Sequence, residues 1–95
     1  MNEGNKSEKP TTLRVFVKSG CPWCTDAVKY LRKEHYEFDE VDVLEDSAAF
    51  DEMIALSGQS LAPTLEMNGQ ILPDFGVPEL IAFLDRHRLT PEMTQ

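Results

Sequence analysis

The sequence predicts an α/β domain in which a mixed four-stranded sheet is flanked by three helices, in the order β-α-β-α-β-β-α. Three observations predict it. Strand and helix patterns alternate along the first two-thirds of the chain, one Asn-Gly pair marks a hairpin, and a helical pattern follows it. The 95 residues suffice for one domain. We expect a mobile tail over residues 1–11, the domain over 12–89 and a second tail over 90–95.

The first part of the chain predicts a strand, a helix and a second strand. Leu13 to Lys18 is rich in β-branched and aromatic residues, which favour a strand. Pro22 suits the first turn of a helix, which we expect to run to about Glu34. Tyr36 to Val43 predicts the second strand. Apolar residues recur at helical spacing within the helix, at Cys24, Ala27, Val28 and Leu31.

A second helix is predicted between the second and third strands. Asp46 or Ser47 can cap its start, and Gly58 ends it. Its apolar side chains are spaced as on one helix face and are expected to face the core. They are Phe50, Met53 and Ile54.

A hairpin and a last helix complete the predicted fold. Thr64–Met67 predicts a short strand, and Asn68-Gly69 favours a tight turn into a return strand over residues 70–72. Strands joined through helices are expected to pair in parallel, and the hairpin adds an antiparallel edge. Pro78 opens the last helix. Its predicted buried residues are Leu80, Ile81 and Leu84.

Charge and hydropathy exclude several function classes. The net charge of −8 argues against nucleic acid as a partner, because such binding depends on phosphate neutralisation by Lys and Arg. No apolar run approaches the roughly 18 residues that span a membrane. The first ten residues are polar and do not resemble a secretory signal. We therefore expect a soluble, cytoplasmic protein, without a membrane partner.

The two cysteines are the candidate catalytic residues. Cys21 is expected at a helix N-terminus, where free N–H groups and the helix dipole favour the thiolate, the nucleophilic form. Cys24 lies nearly one turn further on and can resolve a mixed disulfide formed at Cys21. A structural disulfide framework or a zinc site needs more ligands, so no bound metal is expected. The spacing predicts thiol–disulfide exchange.

Two further residues have open interpretations from sequence alone. Trp23 either shields the sulfurs and offers an apolar contact surface, or is a partly buried aromatic. Pro63 precedes a predicted strand and can be an ordinary turn proline, since only about 5–6% of X–Pro bonds in folded proteins are cis.

The combination of these features resembles the dithiol glutaredoxins. Cys21-Pro22-Trp23-Cys24 follows a strand, and Lys18 stands before it. The segment Ser57-Gly58-Gln59-Ser60-Leu61-Ala62-Pro63 is similar to the family's second loop. The resemblance covers about residues 13 to 88 and includes the element order. It implies a thioredoxin-like fold and a redox enzyme.

The resemblance also implies a set of binding residues. It implies that Pro63 is cis and lies beside Cys21, and that the Ala62 backbone pairs with a bound disulfide substrate as an added strand. It implies glutathione as co-substrate and reductant, with Lys18 and Gln59 on its glycine carboxylate. Trp23 occupies the position where the family usually has Tyr. No permanently bound cofactor is expected, and the protein is expected to be a monomer.

The sequence departs from the family pattern before the last helix. The usual Gly-Gly pair and acid, which hold the γ-glutamyl end of glutathione, are replaced by Leu72 to Glu79. Only Glu79 or Asp74 could replace the acid. A Pro-acid pair at this place resembles redoxins reduced by thioredoxin reductase, including electron donors of ribonucleotide reductase.

Three alternatives to a glutathione-dependent oxidoreductase therefore stay open. One is the redoxin reduced by thioredoxin reductase. Another is a dimer that shares a [2Fe–2S] cluster through Cys21 and two glutathiones, against which Pro22 counts. The last is a redox-inactive adaptor, against which the retained cysteine pair counts. The physiological partners expected are disulfide-containing proteins.

Overall fold

The computed structural model of this chain describes residues 13–87, and the predicted tails lie outside the described residues. The predicted order β-α-β-α-β-β-α is confirmed. No helix within residues 13–87 combines the length and apolarity needed to cross a membrane. The elements are β1 (Leu13–Val17), α1 (Pro22–Lys33), β2 (Phe38–Asp42), α2 (Ser47–Ser57), β3 (Thr64–Met67), β4 (Gln70–Pro73) and α3 (Val77–Arg86).

The four strands form one mixed sheet in the order β2-β1-β3-β4. β1 pairs in parallel with β2, whereas β3 is antiparallel to both β1 and β4. The expectation of parallel pairing through helices is thus wrong for β3. The β2–α2–β3 connection passes β1 and returns in the opposite direction, so that Thr64 lies opposite Phe16. The end of β1 and the start of β3 consequently share one edge of the sheet.

The sheet separates two buried clusters, because alternate residues of a strand face opposite sides. Leu13, Val15 and Val17 face α1 and α3 on one side. Phe16 faces α2 on the other, where it packs with Val43, Ala49 and Met53. The larger cluster on the first side fixes α1 and α3 against the sheet and against each other.

Two predicted core residues are exposed. Ile54 is 40% exposed, and the buried positions of α2 are Ala49 and Met53. Ile81 is 44% exposed. The buried stripe of α3 follows the spacing of three and four residues from Leu80 to Phe83 and Leu84, and Ile81 falls outside that stripe.

The predicted helix and turn signals are confirmed. Asp46 caps α2 by accepting from the Ala49 N–H at 3.1 Å. Gly58 ends α2 in the left-handed conformation, with φ of 75°. Asn68 and Gly69 both have positive φ, at 49° and 86°, as the tight hairpin turn requires.

Candidate active site

The turn between β1 and α1 places Cys21 as the N-cap of α1. Its backbone N–H donates to the Lys18 carbonyl at 3.2 Å, which closes the turn. Its Sγ accepts from the backbone N–H of Cys24 at 3.2 Å. The sulfur therefore takes the role that an oxygen usually has at a helix N-cap. Cys21 is half-buried, so its sulfur stays within reach of a partner.

Cys24 is in a different environment one turn later. Its side chain is buried, at 3% exposure, within the larger core cluster. Burial raises the pKa of its thiol to about 12, and the hydrogen bond and negative charge of Cys21 add to this rise. A backbone group and the charge of Lys18 act in the opposite direction. Cys24 is thus a protonated thiol at neutral pH.

The loop before β3 brings a second backbone segment to the sulfurs. The Ala62–Pro63 peptide bond is cis, as the resemblance implies. Cys21 Sγ lies 3.9 Å from the Ala62 carbonyl oxygen, within hydrogen-bond distance for a thiol donor. The Phe75 N–H donates to the Pro63 carbonyl at 3.4 Å and ties this loop to the segment before α3. Pro63, the residue after Ala62, is buried.

A pocket opens next to the cysteines at the start of α3. It has a volume of about 380 Å³ and is lined by Trp23, Asp74, Phe75, Gly76 and Glu79. Trp23 is 62% exposed, so most of its surface is open to an apolar contact. Its ring lies so close to Gly76 that a Cβ there would be 2.9 Å from the ring atom Cζ3.

The N-terminus of α3 is capped by the side chain of Glu79, a residue of the same helix. Glu79 Oε1 accepts from the Gly76 N–H at 3.1 Å. Pro78 contributes no N–H to this end of the helix. Glu79, predicted to bind glutathione, therefore lines the pocket but already accepts from one of the backbone N–H groups there.

The two residues predicted to bind the glycine carboxylate of glutathione both have partners within the protein. Lys18 Nζ is 5.2 Å from the centroid of the Phe50 ring, a cation–π distance. The side-chain amide of Gln59 is hydrogen-bonded within its own loop, to Ser57, Leu61 and Thr64.

The structure therefore groups the predicted residues in two sets. Cys21, Cys24 and Ala62 meet at the edge shared by β1 and β3, with Pro63 next to Ala62 in the chain, and Trp23 meets Glu79 at the pocket. Sequence reasoning missed Gly76, which contacts Trp23. The signal for it was a glycine two residues before Pro78, where a helix N-cap is expected.

Comparison with known proteins identifies relatives of this arrangement. The glutaredoxin family model matches residues 13–72. A similar sequence is an uncharacterized glutaredoxin-like 8.6 kDa protein in the rubredoxin operon of Clostridium pasteurianum. It is 28% identical over 74 residues, which are 78% of this chain and 99% of the relative.

Solved structures agree with the fold. The thioredoxin-like protein BC3987 superposes with a TM-score of 0.70 at 24% identity, covering 76% of this chain and 99% of that one. A buckwheat glutaredoxin in complex with glutathione superposes with a TM-score of 0.66 at 17% identity, covering 87% and 76%. These likenesses confirm the predicted thioredoxin-like fold.

Proposed function

The chain belongs to the glutaredoxin family of thiol–disulfide oxidoreductases, and on this premise we propose that it uses glutathione to reduce protein disulfides or glutathione mixed disulfides. One observation carries the proposal. Two thiols one helical turn apart have opposite environments, with Cys21 half-buried at a helix start and Cys24 buried and protonated. This asymmetry suits one nucleophile and one resolving thiol.

In the first step the Cys21 thiolate attacks one sulfur of a substrate disulfide. A new bond forms between Cys21 and that sulfur, the substrate S–S bond breaks, and the other sulfur leaves as a thiolate that takes up a proton from water. The Ala62 carbonyl, 3.9 Å from Cys21 Sγ, lies where an extended substrate segment would pair with the loop.

In the second step Cys24 attacks Cys21 and releases the reduced substrate. Cys24 Sγ must first lose its proton, and the pKa of about 12 opposes this in the free dithiol. Once Cys21 is in a mixed disulfide, it carries no negative charge, so its contribution to the raised pKa of Cys24 is lost. The influence of Lys18 remains and favours the thiolate. Resolution is thus easier after the first step than before it.

Two glutathione molecules then return the Cys21–Cys24 disulfide to the dithiol and become glutathione disulfide. The proposed contacts for glutathione are Lys18, Trp23 and the Ala62–Pro63 backbone, since the side chains of Gln59 and Glu79 are held by hydrogen bonds within the protein. We further propose that the protein is a monomer and acts in the cytoplasm, where glutathione keeps thiols reduced.

One observation favours a second candidate, a redoxin reduced by thioredoxin reductase. Backbone N–H groups at the start of a helix bind anions such as the γ-glutamyl carboxylate. In α3 the Gly76 N–H is taken by Glu79, and Pro78 has no N–H to give. A protein reductant would not depend on that anion site.

NADPH consumption with two alternative reducing systems tests the proposal. The protein turns over a glutathione mixed disulfide with glutathione and glutathione reductase, or with thioredoxin reductase alone. We expect turnover with glutathione and none from Cys21→Ser. Turnover with thioredoxin reductase only would contradict glutathione as the reductant and support the second candidate. Failure of the wild type to reduce insulin with dithiothreitol would contradict disulfide exchange itself.

A further inference from the structure

The side-chain amide of Gln59 is hydrogen-bonded to the loop that presents Ala62 to Cys21. We propose that Gln59 is a positioning residue that fixes the Leu61 peptide groups and thereby sets the distance between Ala62 and Cys21. The inference rests on the disulfide exchange proposed above and deepens it. It assigns Gln59 a role that does not depend on glutathione.

Both ends of the Gln59 amide bind the backbone of Leu61. Oε1 accepts from the Leu61 N–H at 2.6 Å, and Nε2 lies 3.2 Å from the Leu61 carbonyl oxygen. The amide therefore pairs with the groups on both sides of this residue, much as a neighbouring strand would. Leu61 precedes Ala62 directly, so fixing it fixes the start of the cis peptide.

The same amide joins the loop to the elements on either side. Nε2 is 3.0 Å from Ser57 Oγ and 3.2 Å from Thr64 Oγ1. Ser57 Oγ donates to the Met53 carbonyl of α2 at 2.7 Å. Thr64, fully buried in β3, donates to the Leu61 carbonyl at 2.9 Å. The end of α2 and the start of β3 are thus connected through Gln59.

This geometry sets the inference apart from a glutathione contact. An amide that turned outward to a carboxylate would give up its bonds to Leu61, Ser57 and Thr64. Holding the loop uses those bonds as they stand. The Ala62 carbonyl would then keep its place 3.9 Å from Cys21 Sγ for any disulfide substrate.

Two substitutions separate the roles. Gln59→Met keeps the length of the side chain and removes its hydrogen bonds. Gln59→Arg supplies a cation that suits a carboxylate but cannot accept from the Leu61 N–H. Ser60→Ala, at an exposed neighbouring position, is the matched control. Thermal unfolding establishes that each variant is folded.

Two readouts are used. The first is insulin reduction with dithiothreitol, an assay without glutathione. The second is alkylation of Cys21 by iodoacetamide, a reaction that does not depend on the position of the Ala62 loop. We expect both Gln59 variants to reduce insulin about ten- to 100-fold more slowly, as misplacing a reacting group does, with Cys21 alkylation unchanged. Ser60→Ala should match the wild type in both.

A different pattern overturns the inference. Unchanged insulin reduction in Gln59→Met, with a rise only in the KM for glutathione, would make Gln59 a ligand. Retained activity in Gln59→Arg, together with a lower KM for glutathione, would do the same. An inactive wild type would instead contradict the proposed exchange, so the two failures are distinguishable.

Discussion

The N-termini of α1 and α3 have the same local geometry but different capping groups. Each helix has a proline at its first or second position and an extended N-cap residue. In α1 the N-cap side chain is the sulfur of Cys21, and no acid lies in the first turn. In α3 the Gly76 N–H is bonded by the helix's own Glu79.

This difference explains why the N-terminus of α1 carries a reactive group, whereas the N-terminus of α3 is already occupied. An empty helix start favours negative charge on any group placed there. At α1 that group is Cys21, whose sulfur becomes neutral when it forms a disulfide. At α3 the charge belongs to Glu79, which takes no part in disulfide exchange. We therefore expect α1 to determine chemistry and α3 to determine which partner can approach.

The largest expected effect separates the two cysteines of α1. Cys21→Ser should abolish exchange with every substrate, because it removes the nucleophile. Cys24→Ser should lose reduction of protein disulfides and keep only glutathione-dependent turnover, since glutathione can resolve a mixed disulfide at Cys21. Parallel assays of insulin and of a glutathione mixed disulfide check this. Equal loss in both variants would show that the single-thiol route does not operate.

The geometry at the start of α1 could be predicted from sequence because the residues that determine it are close together in the chain. A strand pattern, a Gly turn, Pro22 and two cysteines within one turn specify the geometry of Cys21 without knowledge of distant contacts. The element order and the Asn68-Gly69 hairpin were predictable for the same reason. The cis state of Pro63 was not, since the residues alone left it open and only the family resemblance implied it.

The region around the start of α3 could be predicted only in part, because it depends on contacts between segments that are distant in sequence. Trp23 and Gly76 are far apart in sequence, and nothing in either pattern indicates that the ring lies against the glycine. The antiparallel direction of β3 likewise depends on how the α2 connection passes β1. The start of α3 was indicated by Pro78, but the capping by Glu79 and its consequence for an anion are visible only in three dimensions.

The next largest effect is expected in the pH dependence of Cys24 alkylation. In Cys21→Ser the remaining thiol keeps its burial but loses the hydrogen bond and charge of Cys21. Its alkylation midpoint should therefore lie between the ordinary value of 9.0 and about 12. The rate rises with pH, since each unit below the midpoint reduces the thiolate about tenfold. Iodoacetamide rates measured across this range check the sign, and a midpoint below 9.0 would contradict burial as the main cause.

A smaller effect is expected from opening the start of α3. Glu79→Ala removes the carboxylate on the Gly76 N–H and should cost about 0.3–1 kcal/mol in the free energy of unfolding. It should also lower the KM for glutathione, because the freed Gly76 N–H can donate to an anion. Asp85→Ala removes one acid from the same helix and leaves the cap intact, so it serves as the charge-matched control. An unchanged KM in Glu79→Ala would mean that this cap does not limit glutathione binding.

The smallest effect on stability is expected at the contact between the two helix starts. Gly76 has a φ of −109°, which any residue adopts, and the atoms nearest to an alanine Cβ there belong to the Trp23 ring and to Glu79 Oε1. The exposed ring can swing outward, and we expect Gly76→Ala to change the free energy of unfolding by less than about 1 kcal/mol.

The emission of Trp23, the single tryptophan of the chain, reports that movement directly. In Gly76→Ala its spectrum should shift, because the ring leaves its contact with the start of α3. Gly69→Ala is the opposite control. It meets no atom within 4 Å but imposes a φ of 86° on alanine, so it should destabilise the protein without altering the emission. A strongly destabilised Gly76→Ala with unchanged emission would show that the ring is held rigidly and that α3, not Trp23, gives way.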